Sequence, residues 1–164
     1  MKVCEEFYIN GEWVKPVNGL KTLDVINPAT EEVFGRIALG DKDDVDAAVE
    51  AAYSAFETFG FSSVEERISL LEKILEVYQG KYDEIAETIS SEMGAPIGLS
   101  KAAQAATGLG HFSTALETLK NYKFEEIKGS ALIRKEPIGV VGMITPWNWP
   151  INQISCKVGP AIAA

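Results

Sequence analysis

The chain is poor in the residue types that would assign it to several common functional classes. Its 164 residues include only 2 cysteines, Cys4 and Cys156, near opposite ends. Neither a disulfide framework nor a cysteine-based metal cluster is expected from such a pair. Basic charge is scarce: 15 Lys and Arg stand against 24 Asp and Glu, for a formal net charge of −9. A surface of that sign repels phosphate backbones, which argues against a nucleic-acid partner. No apolar run is long enough to span a bilayer, so no membrane partner is expected. The opening "MKVCEEFYIN" lacks the apolar stretch of a secretory signal. The single histidine, His111, has no visible partner and reads as a surface or packing residue rather than a general base. Internal repeats and low-complexity linkers are absent. What remains is 46% hydrophobic and 24% charged, an ordinary composition for one globular domain. A cytoplasmic protein is the simplest reading.

The hydrophobic period changes along the chain. In "EFYINGEWVKP", Phe7 and Ile9 precede Asn10-Gly11, and Trp13 and Val14 follow it. Asn-Gly takes positive φ readily, so this predicts a hairpin. "TLDVINPATEEVFGRIAL" predicts two more strands about the Asn27-Pro28 turn. From Asp41 the period becomes helical: Val45, Ala48, Val49, Ala52, Phe56 and Phe59 fall on one face, with Asp41 as cap. Ser63 with Glu66 forms a capping-box pattern and opens a second helix. Its stripe runs through Val64, Ile68, Leu71, Leu75, Tyr78, Tyr82, Ile85 and Ile89, with a break expected at Gly80. Gly94 and Pro96 end that region. A third helix is expected from about Ser100 to Asn121, its alanines and glycines implying close packing. "GLGHFS" within it matches part of a dinucleotide fingerprint, but no strand precedes it, so it reads as plain helix.

Beyond Tyr122 the period returns to two. "ALIRKEP" alternates, and "IGVVGMIT" is almost wholly apolar, as in a strand buried on both faces inside a parallel sheet. A loop follows, then a helix over "INQISCKVGPAIAA". Strand, loop and helix make half of a βαβ unit. The last apolar stretch carries neither a glycine cap nor a closing charge, which predicts a fragment of a longer chain; a frayed last turn is the plainer alternative.

The loop "ITPWNWPIN" would lie where ligands of α/β sheets bind, at the carboxyl end of the strand. Pro146 and Pro150 each fix a φ angle. Between them Asn148 offers two N–H donors without net charge. A donor held in place beforehand stabilises charge that develops on an oxygen. The same asparagine could instead satisfy its own turn. The residues alone leave both readings open.

Taken in order, "FYINGEWV", "INPATEEVFGRI", "DVDAAVEAAYSAF", "ERISLLEKI", "KEPIGVVGMITPWNWP" and "KVGPAIAA" resemble the amino-terminal part of the aldehyde dehydrogenase superfamily. The resemblance covers the whole chain and is strongest from Lys135 to Pro150. It implies an α/β fold of aldehyde dehydrogenase type: hairpins and a helical layer, then the first strand, loop and helix of a parallel, Rossmann-like dinucleotide-binding sheet. Residues 1–123 would be the N-terminal part of the cofactor-binding domain, 124–137 a bridging strand that resembles the family's bridging hairpin around Ser130 to Glu136 and is used in oligomerisation, and 138–164 the start of the sheet, with the catalytic domain absent. The family oxidises an aldehyde to a carboxylic acid with NAD or NADP. A cysteine thiolate attacks, an asparagine amide and a backbone N–H hold the oxyanion, hydride leaves for the nicotinamide, and a glutamate activates water. The resemblance places Asn148 as the oxyanion donor. Ile144, Thr145, Pro146, Trp147 and Asn148 match positions lining the cofactor cleft, largely through backbone, with the Trp side chains as packing. Lys157 matches a lysine sometimes given a charge-relay role, and is equally readable as structural.

The family's nucleophilic cysteine and general-base glutamate match no position here. Cys4 falls in the N-terminal tail and Cys156 on the last helix, where relatives carry an apolar or small residue. The chain alone is therefore expected to be inactive. Its partners would be a small-molecule aldehyde and, in the full-length protein, further copies of itself. A non-catalytic α+β module that pairs through an exposed strand edge is the rival reading. A reductive relative acting through acyl intermediates is another.

Overall fold

A computed structural model describes residues 2–164; the expected domain start at Met1 lies outside them. Three short strands open the chain: β1 (Lys2–Cys4), β2 (Phe7–Ile9) and β3 (Glu12–Val14). β2 and β3 form the expected antiparallel hairpin, with Asn10 at φ 53° and Gly11 at φ 80°. Two positive φ values suit the twist of a two-residue turn. β4 (Thr22–Ile26) and β5 (Val33–Ala38) pair antiparallel as expected, and β1 adds in parallel on the far side of β5. Cys4, expected in a tail, thus sits in a strand opposite Ile37.

Helix α1 (Lys42–Phe59) starts at Asp41 with a full capping box completed by Asp44. The Asp44 carboxylate also accepts from the Val17 N–H at 2.8 Å, which ties the helix start to the preceding turn. The expected apolar face of α1 finds no deep partner. Val45, Val49 and Phe59 are exposed, and Asp44 is the buried residue of the helix. Helix α2 (Val64–Gly80) begins with the predicted Ser63–Glu66 box. Donation from the Ser63 backbone N–H holds the Glu66 carboxyl below its ordinary value. The helix breaks where Gly80 suggested, and α3 (Tyr82–Met93) follows, closed by Gly94 at φ 77°.

After the single turn α4 (Ile97–Leu99), residues Ser100–Gln104 are wound as a π-helix before α5 (Ala105–Asn121). Periodicity alone predicted one uninterrupted helix here. Two tyrosine hydroxyls reach this junction: that of Tyr78 donates to the Ala105 carbonyl at the start of α5 at 2.7 Å, and that of Tyr82 donates to the Lys101 carbonyl within the π-helical turn. Burial, with a smaller contribution from Tyr82, pushes the Tyr78 phenol up to about 12. Gly108 leaves room for that phenol, since a Cβ there would lie 2.1 Å from its oxygen.

Leu71, Tyr78, Phe112, Ala115, Leu116 and Leu119 form the core, with Leu71 wholly buried. The final helix α6 (Pro150–Ala163) lies against α5, and Ile151, Val158 and Ile162 close the core from that side. Gly159 permits the approach: a Cβ there would meet Ala115 Cβ at 3.3 Å and Phe112 Cδ1 at 3.4 Å. Buried Arg67 of α2 donates to the Ala163 carbonyl at 3.0 Å and stacks its guanidinium on Phe124.

The expected bridging stretch near Ser130 to Glu136 is one arm of a hairpin, β6 (Glu125–Lys128) with β7 (Ala131–Arg134), turning at Gly129 with φ 64°. All its strand residues are exposed. The expectation that needs correction lies just beyond this hairpin. The segment 138–145, expected as a buried strand, has no ladder partner among the described residues. Ile138 is 93% exposed and Ile144 90%. A central strand is defined by neighbours on both edges, and no described strand lies beside this one.

Candidate active site

The loop between residue 144 and α6 owes its shape to local chemistry. Trp147, Asn148 and Trp149 form a bend, and Pro150 occupies the first position of α6. Proline suits that position because its missing N–H would have no helical partner. Trp149 caps the helix with φ −144° and ψ 70°, and no side chain covers the first turn. The turn closes through the Gln153 N–H, which donates to the Trp149 carbonyl at 3.0 Å. Buried Ser155 reinforces it, donating to the Ile151 carbonyl at 2.6 Å.

Asn148 is exposed on the bend, and none of the side-chain hydrogen bonds among the described residues involves its carboxamide. It is not consumed by its own bend, the alternative that the sequence left open. Ile144, Thr145, Pro146 and Trp147 precede it on the surface. Trp147 is 80% exposed, so the expectation that both tryptophans pack is corrected: Trp149 is half-buried and Trp147 is not packed. Lys157 lies farther along α6, half-buried. Its ammonium donates to the Gln153 carbonyl at 3.2 Å and to the Gln153 side-chain Oε1 at 3.0 Å. The loop and the helix that follows it thus carry one candidate catalytic residue each, with Asn148 free and Lys157 engaged. Cys156, also half-buried, donates its thiol to the Gln153 carbonyl at 3.5 Å, while Cys4 is exposed on β1.

One contact at this site could not be anticipated from periodicity. His111 Nε2 lies 2.7 Å from Asn152 Oδ1, joining α5 to the first turn of α6. The two residues are 41 apart in sequence, and neither belongs to an apolar stripe. Beside the same turn, Pro150, Ile151 and Ile154 face Lys81, Glu84, Ile85 and Ile89 across a cleft of about 220 Å3. Asn148 does not line that cleft. Among the described residues there is no cluster of side chains suited to a metal ion, and no helix is long and apolar enough to cross a membrane.

Residues 13–164 match the model of the aldehyde dehydrogenase family. The chain belongs to that family. It is 50% identical, over its whole length, to a 3-succinoylsemialdehyde-pyridine dehydrogenase of a Pseudomonas species, and covers 34% of that protein. Its fold superposes on the crystal structure of an aldehyde dehydrogenase from Bartonella henselae with a TM-score of 0.96 and 45% identity, covering 100% of this chain and 35% of the other. Aldehyde dehydrogenase C of Pseudomonas syringae, crystallised as a cysteine-to-alanine variant with NAD+ and octanal, superposes with a TM-score of 0.96 and 43% identity, covering 98% of this chain and 33% of that one. The chain spans about a third of the length of the relatives it matches. The expected aldehyde dehydrogenase fold is therefore present, and the unpaired segment 138–145 belongs to a fold whose relatives are three times as long.

Proposed function

We propose that this chain forms the N-terminal third of an NAD(P)-dependent aldehyde dehydrogenase, in which Asn148 donates its amide to the oxyanion formed when a cysteine thiolate attacks the aldehyde carbonyl. The observation that carries this reading is the free carboxamide of Asn148 on a bend stiffened by Pro146 and Pro150. An amide committed to its own turn would have to break that bond during reaction. A free one already in place has no such cost. Because the amide is neutral and does not titrate, its contribution is the same across the working pH range.

Residues Ile144, Thr145, Pro146, Trp147 and Asn148 are the candidates to hold the dinucleotide. Their donor set fits it: exposed backbone groups outside any ladder, and an exposed indole face at Trp147. When bound, NAD or NADP supplies the hydride acceptor. The Pseudomonas syringae relative, which holds NAD+ and octanal, supports both a dinucleotide and an aldehyde as ligands. Lys157 enters as an electrostatic helper, its ammonium positioned by Gln153. Cys4 and Cys156 are not proposed as nucleophiles, since one sits on the N-terminal strand and the other is bonded along its own helix. The thiolate and the base that activates water come from outside these residues, and so does the choice of aldehyde.

The test is Asn148→Ala in the intact enzyme. A fall in kcat of about 10²–10³-fold is expected. An unaltered kcat would remove the oxyanion assignment.

A further inference from the structure

We infer that His111 is a positioning residue for Asn148: by holding Asn152 it fixes the first turn of α6 against α5, and with that turn the bend that presents the amide. This rests on the oxyanion reading above and adds a residue to it. The imidazole Nε2 and the Asn152 Oδ1 are 2.7 Å apart, and both side chains are half-buried, shielded from competing water. With Oδ1 as acceptor, the imidazole donates from Nε2.

Three features make this bond consequential. First, Asn152 is the third residue of α6, inside the turn that the Gln153 N–H closes onto the Trp149 carbonyl. Trp149 adjoins Asn148, so a shift of that turn moves the amide with it. Second, no side chain caps α6, so the apolar packing of Ile151 and the His111 bond are what hold its first turn, and the bond is the directional one of the two. The loop itself is exposed from residue 140 to Asn148 and offers no packing of its own. Third, the far end of the helix is secured independently. Gly159 lies against Ala115 and Phe112, and Arg67 holds the Ala163 carbonyl. Loss of the His111 bond would therefore let the first turn of α6 shift about its Ile151 contact while leaving the far end in place.

The reaction needs the donor N–H at about 2.7–3.1 Å from the oxyanion, and misplacement by about 1 Å can cost 10²-fold in rate. His111→Leu in the intact enzyme is expected to lower kcat by about 10- to 100-fold with a smaller change in KM. His111→Gln, which can offer an N–H near the Nε2 position, should restore most of that loss. Asn152→Leu removes the acceptor from the other side and should reproduce the His111→Leu profile, which guards against a folding defect peculiar to one variant. The deciding measurement is the double variant. If His111 acts through Asn148, then His111→Leu has little further effect on kcat once Asn148 is already Ala. If the two losses multiply, or if His111→Leu leaves kcat unchanged while Asn148→Ala cripples it, the positioning role is wrong and the oxyanion role stands. If Asn148→Ala itself leaves kcat unchanged, the oxyanion reading falls and takes the positioning role with it.

Discussion

The block made by α2, α5 and α6 and the segment from residue 135 to 149 have similar apolar content and opposite fates. In the block, Leu71 is fully buried, and Phe112, Leu116 and Leu119 pack around it. In the segment, Ile138 and Ile144 stand almost wholly in solvent. The side chains are of one kind. What differs is the availability of partners. A helix satisfies its backbone within itself and needs only one apolar face covered, whereas a sheet strand needs a neighbour for its backbone as well as cover for its side chains. The three helices find one another within the described residues. The segment finds no strand. Apolar pattern thus reports what a stretch is built to bury, and the presence of a partner decides whether it is buried.

The largest test of this contrast is a pair of truncations in the 164-residue chain. Leu71→Ala should cost about 2–5 kcal/mol through lost transfer energy and an unfilled cavity. Ile144→Ala should cost under about 0.5 kcal/mol, as at an ordinary exposed position. Urea unfolding of the two variants measures the difference. Equal losses would mean that the segment is packed after all.

A sharper pair lies within α5. Alanine at Gly108 would place its Cβ on the Tyr78 phenol and should destabilise by about 1–3 kcal/mol through forced displacement. Alanine at Gly110, where nothing lies within 4 Å, should stabilise by about 0.5–1 kcal/mol through helix propensity. Opposite signs in the unfolding midpoint, two residues apart, would show that close packing rather than helix formation sets the requirement for glycine in the block. A stabilising Gly108→Ala would break that claim.

A pH dependence is likewise confined to the block. Burial first, and Tyr82 second, raise the Tyr78 phenol from 10.0 to about 12. An unfolded phenol titrates near 10. Between those values the folded state binds more protons than the unfolded one, so stability falls as pH rises. The contribution is complete below about pH 10 and is lost as pH approaches about 12. Tyr78→Phe should flatten that alkaline slope in urea unfolding measured from about pH 9 to 12. An unchanged slope would assign it elsewhere.

These contrasts show which features were legible in the sequence. Both hairpin and strand turns in the first forty residues, the caps at Asp41 and Ser63 and the break at Gly80 were all legible, because each depends on the φ preferences or hydrogen-bonding reach of a few adjacent residues. The stripe on α1 correctly marked a helix but not a buried one, since a stripe does not identify what covers it. The π-helical turn at Ser100–Gln104 was not legible, and the hydroxyls that reach its junction with α5 come from Tyr78 and Tyr82 on distant turns. The bounds of β6 within the bridging stretch were not legible, because "EEIK" carries only one apolar residue and is held by its partner, including the Glu125–Arg134 ion pair. At the site, "PWNWP" announced a stiff loop with a neutral donor. That the donor is free, that Trp147 is exposed and that His111 reaches Asn152 were visible only in three dimensions.

The sequence by itself determined the local vocabulary of this chain: where helices start and stop, where the backbone turns, and that a neutral amide lies between two prolines. These follow from interactions a few residues long, which the order of amino acids specifies directly. Tertiary structure alone decided which apolar faces are covered, how closely α6 approaches α5 at Gly159, and which side chain steadies the turn beside Asn148. Those outcomes depend on residues brought together from distant parts of the chain, 41 positions apart for His111 and Asn152, and no local pattern encodes the distance between them.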